Sequence, residues 1–368
     1  MKRKLLLIIF LGIILGGVVF WFSKHSLNKI STDNTQSKPT AEKKQTHYSY
    51  LFLGYGGANH EGTYLTDTIM IVNIDTERKI ASLISVPRDL WIKLPTKSGN
   101  DFYTKINAVY QMDLFPDQFP DVKKAAVPGQ TIKGVTAKIT GLNVESYLAI
   151  DFSTFIKTID VLGGIDINVD QSFEDDQYPI DGKKNDPCGK TDTDLEEAQK
   201  IATESPELAF PCRYEKLSFV KGLTHMDGDL ALKYVRSRHG NNDAGDFNRA
   251  RRQQLFINAI KGKIVSIDFI PKILPLFEQV KKDVKTDVGL SGINLLRKEL
   301  GSLKQYQIRS LVISDQNLLS YSRSVNGQSI LIPKAGIENW QEIANVITNL
   351  RLDITPSPSQ SLIPTVKK

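Results

Sequence analysis

The sequence predicts an α/β protein of three layers, α/β/α, with a central mixed sheet, forming a single extracytoplasmic domain behind one transmembrane helix. Three observations predict it. Short runs rich in β-branched and apolar residues, bounded by turn residues, alternate with segments that carry apolar residues at helical spacing. One run, Thr68 to Ile74 (TIMIVNI), is apolar almost throughout, as a strand covered on both faces requires. Leu5 to Phe22 contains no charge and is long enough to span a bilayer.

The N-terminus sets the frame. Lys2, Arg3 and Lys4 favour the cytoplasmic side for residues 1–4, with 5–22 as the transmembrane anchor. The apolar run is longer than a usual signal-peptide core, and no small-x-small cleavage site follows it. Residues 23–47, rich in Ser, Thr, Lys, Gln and Asn, read as a flexible stalk, and 354–368 as a disordered Pro/Ser tail. Between them, 48–353 reads as one domain. Its expected strands are Tyr50–Gly54, Thr68–Ile74, Lys79–Val86, Ser146–Asp151 and Ile165–Val169. Helices are expected at Ile132–Ile139, Ser153–Leu162, Asp227–Val235, Phe247–Val265 and Asn339–Leu350, with Ser153 as a cap and Gly163-Gly164 as a stop. Residues 173–217 break the alternation and read as an inserted, lid-like segment. It holds both cysteines, Cys188 and Cys212, which can pair in an oxidising compartment or stand as unrelated thiols.

Composition excludes several chemistries. A net charge of +6 and a pI near 9.0 would normally raise nucleic acid as a partner. The anchor redirects that inference toward the membrane, and no helix-turn-helix with a base-reading helix is present. The five histidines are scattered without HExxH spacing, and no G-x-S-x-G elbow or Cys-His pair occurs. Serine, cysteine and zinc hydrolase chemistry are therefore poorly supported.

The chemistry that remains is phosphate binding. Tyr234 to Gln254 packs Arg236, Arg238, Arg249, Arg251 and Arg252 into a short span, and the guanidinium fork matches phosphate oxygens two at a time. On a helix starting near Asp246, Arg249, Arg252 and Gln253 share the side of Phe256 and Ile260, whereas Arg251 faces away. Inward arginines need anionic partners, and Asp246 meets only part of that demand. Arg236 and Arg238 share a side only if the chain is extended between them.

Asp67 precedes the second strand and Arg88 follows the third. A hairpin of those strands brings the two to one sheet edge, either as a structural ion pair or as a magnesium ligand beside a phosphate clamp. Lys105 and Asn107 are possible ligands or exposed polar residues. Gly54-Tyr55-Gly56-Gly57 reads as a plain turn or as a loop whose N–H groups approach an anion, without the Gly-Lys-Ser/Thr of a P-loop.

Several pieces together resemble the LytR–CpsA–Psr family. They are Leu51-Phe52-Leu53-Gly54, Thr66-Asp67-Thr68-Ile69-Met70, Ser85-Val86-Pro87-Arg88-Asp89 and Lys105-Ile106-Asn107-Ala108. Further on they are Val161-Leu162-Gly163-Gly164-Ile165, Met226-Asp227-Gly228, Tyr234-Val235-Arg236-Ser237-Arg238 and Gly245-Asp246-Phe247-Asn248-Arg249 through Gln254. The resemblance implies an extracytoplasmic domain at the cell membrane that binds a polyprenyl-pyrophosphate-linked glycopolymer. It also implies transfer of that glycopolymer, as a phosphodiester, to a peptidoglycan sugar hydroxyl. Under it, Asp67 matches a ligand for Mg2+ (or Mn2+). Arg88, Arg236, Arg238, Arg249 and Arg252 match phosphate contacts, with Gln253 beside them and Asp246 positioning the cluster. The expected partners are the lipid-linked glycopolymer, peptidoglycan and membrane lipid, with no nucleic acid.

This chain departs from the family pattern at Gly56 and Leu65, where the family carries an Asp and a basic residue. Glu61 or His60 is the expected substitute for the missing metal ligand. The cysteine-bearing insertion is a further departure and is expected to serve as a lid or an acceptor-docking element. The competing readings are a non-catalytic binder of lipid-linked precursors, a polyprenyl pyrophosphatase and a membrane-tethered regulator.

Overall fold

The computed structural model describes residues 45–57, 62–203, 205–264, 283–289 and 305–352. The anchor at 5–22, nearly all of the stalk, His60, Glu61 and the tail at 354–368 lie outside the described residues. Among the described residues no helix is long and apolar enough to cross a membrane. The chain divides into two compact units, one comprising 1–54, 65–150 and 273–368, the other 55–64 and 151–272.

In chain order the principal strands and helices are as follows. β1 is His47–Tyr55, β2 Thr66–Asp75, β3 Ile80–Val86, β4 Trp91–Leu94 and β5 Phe102–Lys105, followed by helix α1, Gln130–Thr140. Next come β6 (Ser146–Asp151), α2 (Phe152–Val161), β7 (Ile165–Val169), β8 (Phe173–Pro179), α3 (Asp192–Ile201), β9 (Tyr214–Phe219) and β10 (Gly222–Met226). Then α4 (Gly228–Arg236), the short β11 (His239–Gly240) and β12 (Asp243–Ala244), and α5 (Gly245–Ile264) complete the second unit. β13 (Lys285–Thr286), β14 (Gln307–Val312), β15 (Leu319–Arg323), β16 (Ser329–Pro333) and α6 (Gln341–Leu352) return to the first.

The first unit is built on a mixed six-stranded sheet in the order β13-β6-β1-β2-β3-β14. β2 and β3 form an antiparallel hairpin from Ile69–Val86 to Asp75–Ile80, while β14 runs parallel to β3. Ile71, Val72, Ala81 and Ile84 are fully buried, so the middle of the sheet is covered on both faces. Each of the valine and isoleucine side chains contributes about 1.5–3 kcal/mol relative to an exposed one. Helix α6 packs on β3, β14 and α1 through Ile343 and Ile347, four residues apart on one helical face. Its Arg351 Nε donates to Asn73 Oδ1 at 2.8 Å, and Asn73 Nδ2 in turn donates to Ser49 Oγ at 2.9 Å. That chain of bonds satisfies a buried amide on an otherwise apolar strand.

In the second unit, β7 pairs antiparallel with β10, and β8 with β9, as separate two-stranded sheets. β7 does not join the central sheet. In IDINV its apolar residues are buried and Asp166 and Asn168 are exposed, the alternation of a strand with one solvated face. The expected cap Ser153 is also corrected. Asp151 is the N-cap of α2, accepting from the Thr154 N–H at 2.7 Å, because a carboxylate is a stronger acceptor than the neighbouring hydroxyl. Ser153 donates its hydroxyl to that carboxylate at 2.9 Å. Gly228 lets α4 approach α2 closely, since a Cβ there would lie 2.7 Å from the Ile156 Cα.

The segment 173–217 begins and ends in the paired strands β8 and β9. Between them, Cys188 and Cys212 form a disulfide with Cα atoms 5.5 Å apart. Leu195, Ala198, Ala209 and Phe210 make a small apolar cluster beside it. The Arg213 guanidinium lies 3.5 Å from the Phe210 ring centroid and donates through Nε to the Asp186 carbonyl at 2.7 Å.

Candidate functional site

In the first unit the candidate residues gather at the end of the β2–β3 hairpin. Continuing the Ile69–Val86 register by two residues sets Asp67 opposite Arg88, and Arg88 Nη1 donates to Asp67 Oδ1. Arg88 Nε lies 3.6 Å from Asp89 Oδ2, and Lys105 Nζ donates to Asp89 Oδ1 at 2.6 Å. Lys105 ends β5 and enters a short 3₁₀ turn, Ile106–Ala108. The turn is tied to the hairpin through the backbone. The Asn107 N–H donates to the Arg88 carbonyl at 3.2 Å, and the Thr66 hydroxyl donates to the Asn107 carbonyl at 3.2 Å. Asn107 thus contributes main-chain bonds that fix Arg88.

The charges in this group cancel, with two carboxylates (Asp67, Asp89) against two cations (Arg88, Lys105), each about a quarter exposed. A neutral group does not attract a diphosphate by net charge, and an added divalent cation would change that. Among the described residues, the only metal-compatible group of three or more His, Cys, Asp or Glu is Asp186, Cys188 and Cys212, and its two sulfurs are already joined in the disulfide. Asp67 offers a single carboxylate, the kind of ligand a hard cation of the magnesium type takes together with phosphate oxygens and water.

In the second unit the candidates lie on α4, on α5 and on the loop between them. Arg236 is the last residue of α4. Its Nη1 donates to Tyr178 Oη at 3.0 Å, its guanidinium carbon lies 4.1 Å from the Phe152 ring centroid, and Asp181 stands 3.8 Å away. Ser237 leaves the helix with ψ at 138°, which supplies the extended link that the Arg236–Arg238 spacing demands. Arg238 and Arg249 are half-buried, and Gln253 Nε2 reaches the Val235 carbonyl at 3.4 Å. Asp246 lies in the first turn of α5, and its side chain is outside the described residues.

Arg252 departs from expectation. It points inward, as the helical spacing requires, but it is fully buried and bonded to protein acceptors. Nε donates to the Tyr234 carbonyl and Nη1 to the Asp243 carbonyl, each at 3.0 Å, while Nη1 also meets Asp243 Oδ2 and Nη2 meets the Ser237 carbonyl. A guanidinium with no exposed surface is not a phosphate contact. It staples the loop that carries Arg238 to α5. Burial lowers its pKa, and the Asp243 carboxylate acts the other way. Arg251, expected to face solvent, pairs with Asp170 and Asp243 instead. Burial works against its charge, and those two carboxylates outweigh it, raising its pKa. Asp170, Asp175 and Tyr178 went unremarked in the sequence because no motif or spacing marks them.

The first unit is a mixed α/β sheet with an Asp–Arg pair at a strand edge, and the second carries a cluster of arginines at a helix junction. The class these define is a mixed α/β protein with arginine-bearing clusters in each unit. The chain belongs to the LytR_cpsA_psr family, whose model matches residues 18–345. It is 24% identical over 299 residues to the polyisoprenyl-teichoic acid–peptidoglycan teichoic acid transferase TagV of Bacillus subtilis (strain 168), covering 80% of this chain and 63% of TagV. It is 26% identical over 278 residues to the regulatory protein MsrR of Staphylococcus aureus (strain COL), covering 75% of this chain and 67% of MsrR. The crystal structure of B. subtilis TagV has the same fold, with a TM-score of 0.55 at 23% identity over 85% of this chain and all of that one.

Proposed function

We propose that this chain is a membrane-anchored phosphotransferase that moves a glycopolymer from a polyprenyl-pyrophosphate carrier onto a peptidoglycan sugar hydroxyl. The observation that carries the reading is the Asp67–Arg88 pair at the hairpin end of a chain related to a named teichoic acid transferase. In the reaction, the acceptor oxygen attacks the phosphorus attached to the glycopolymer. The bridging P–O bond breaks, polyprenyl phosphate leaves with that oxygen, and the hydroxyl proton passes to water. A phosphodiester remains.

Phosphoryl transfer asks a protein mainly for positioning and charge stabilisation. In the first unit Arg88 supplies a guanidinium held by Asp67 and Asp89; in the second, Arg236, Arg238 and Arg249 are phosphate-matched donors. Lys105 holds Asp89, and Asn107 holds the Arg88 main chain. Asp67 would bind Mg2+ (or Mn2+), which when present neutralises diphosphate oxygens. Residues 5–22 would anchor the chain, with residues 23–368 on the outer side of the cytoplasmic membrane beside the lipid carrier.

The test uses the full chain in detergent, a polyprenyl-pyrophosphate-linked disaccharide and a peptidoglycan oligomer. Transfer with release of polyprenyl phosphate is expected, abolished by EDTA and restored by magnesium. Arg88→Ala and Arg236→Ala should each lower kcat/KM by roughly 100-fold or more. Tight binding of the lipid pyrophosphate without turnover would instead establish a non-catalytic binder, the reading that Gly56 favours. Release of polyprenyl phosphate and disaccharide 1-phosphate without transfer would establish a pyrophosphatase. A reporter fused after Lys368 and found active in the cytoplasm would refute the orientation.

A further inference from the structure

β8 supplies two side chains to the end of α4 and the loop that follows it. In a regular strand, residues three apart point to opposite faces. The pairing of β8 with β9 slips between Asp175 and Tyr178, and this irregularity lets both be buried while Asp176 is exposed.

Asp175 Oδ2 accepts from the Ser237 hydroxyl at 2.5 Å and from the N–H groups of Arg238 and His239, both at 3.2 Å. Its Oδ1 accepts from the Gln177 N–H at 3.0 Å. The side chain is 0% exposed, so its charge is balanced by these donors in place of water. Neighbouring bonds extend the contact along the strand. The Asn241 N–H donates to the Glu174 carbonyl at 2.8 Å, and a Cβ on Gly240 would lie 2.8 Å from the Phe173 ring.

Tyr178 acts on the side chain of Arg236. Its hydroxyl accepts from Arg236 Nη1 at 3.0 Å, and its ring centroid lies 5.4 Å from the guanidinium carbon. With the Phe152 ring at 4.1 Å, two aromatic rings and one hydroxyl limit the directions that guanidinium can take. Burial raises the pKa of the hydroxyl, opposed by the charge of Arg236, so it stays neutral at working pH.

We propose that Asp175 and Tyr178 are positioning residues for the transfer reaction, Asp175 fixing Arg238 through its main chain and Tyr178 fixing Arg236 through its guanidinium. This rests on the reading that both arginines contact the diphosphate. A carboxylate that only stabilised the fold would change the amount of folded protein and leave the turnover of each folded molecule alone. One that aims an arginine acts on the chemical step, because displacements of about an ångström cost phosphoryl transfer up to roughly 100-fold.

The experiment measures single-turnover transfer by the full chain, with a polyprenyl-pyrophosphate-linked disaccharide, magnesium and a peptidoglycan oligomer, normalised to folded protein. Asp175→Asn is expected to lose about 100-fold and Tyr178→Phe about tenfold. In the Arg238→Ala and Arg236→Ala backgrounds, respectively, the same substitutions should lose no more than about twofold further, since the group they aim is gone. Wild-type rates for both variants, or equal losses with and without the arginine, would overturn the proposal. Wild-type rates for Arg236→Ala and Arg238→Ala themselves would overturn the functional reading, and the proposal with it. If Asp175→Asn does not fold, Tyr178→Phe, which keeps the buried ring, decides by the same two outcomes.

Discussion

Replacing Arg252 by alanine separates a structural role from a ligand-binding one. The substitution removes every donor that the side chain gives to the Tyr234, Ser237 and Asp243 acceptors and leaves the Asp243 carboxylate, only 1% exposed, with one cation fewer. Breaking a buried ion pair from one side costs about 3–5 kcal/mol. Arg251 still pairs with Asp243, so the loss should fall toward the lower end. The described tryptophans, Trp91 and Trp340, belong to the other unit, so tryptophan fluorescence would follow the wrong transition. Hydrogen exchange of the α4 and α5 amides reads the right one. A loss of 3–5 kcal/mol corresponds to about two to four orders of magnitude in protection where exchange follows cooperative opening of this unit. Unchanged protection together with weaker binding of a polyprenyl pyrophosphate would refute the argument and return Arg252 to the ligand contacts.

Three more outcomes follow from geometry already described. The Cys188–Cys212 bridge spans a sequence separation of 24, for which the chain-entropy estimate is about 3.5 kcal/mol; the Cys188→Ser/Cys212→Ser pair should make residues 181–213 the first site of limited proteolysis. Gly228→Ala would push a methyl group into the Ile156 backbone, forcing α2 and α4 apart at a cost of roughly 1–3 kcal/mol, seen as a lower Tm by calorimetry. Burial acts to raise the pKa of Asp75, but bonds from Arg78 and Glu77 and the charge of His47 outweigh it, so the net shift is downward. A depressed carboxyl pKa stabilises the fold above the unfolded value of about 3.9, and that contribution is lost as pH falls through the folded value. Asp75→Asn should therefore flatten the acid limb of a stability–pH profile below about pH 4, while leaving its neutral limb parallel to wild type.

Much of the first unit was legible because its signals are local. TIMIVNI declares a covered strand and KIASLISV a strand beside it, and the short Asp75–Arg78 turn between them fixes the register that sets Asp67 opposite Arg88. The pairing of β14 with β3 was not legible, since nothing in the roughly 220 residues between them encodes which strand will lie alongside. The arginine cluster was half legible. Helical spacing put Arg252 on the inward side, but spacing cannot distinguish a side chain turned toward a ligand from one turned toward a buried carboxylate. The deciding partner, Asp243, lies across a chain reversal. The same blindness placed Arg251 in solvent, where Asp170 and Asp243 meet it. Asp175 and Tyr178 share a side only because of a strand irregularity, which no alternation rule anticipates.

The late arrival of β14 has a consequence for biosynthesis. A ribosome emits the sheet's first strands early and all of the second unit next, and only then Gln307–Val312. Until those residues emerge, the outer rim of IASLISV has no neighbour, and it is an apolar ribbon suited to pairing with another nascent copy. A gene shortened before codon 307 would thus yield a protein prone to clump, even with every residue of the arginine cluster in place.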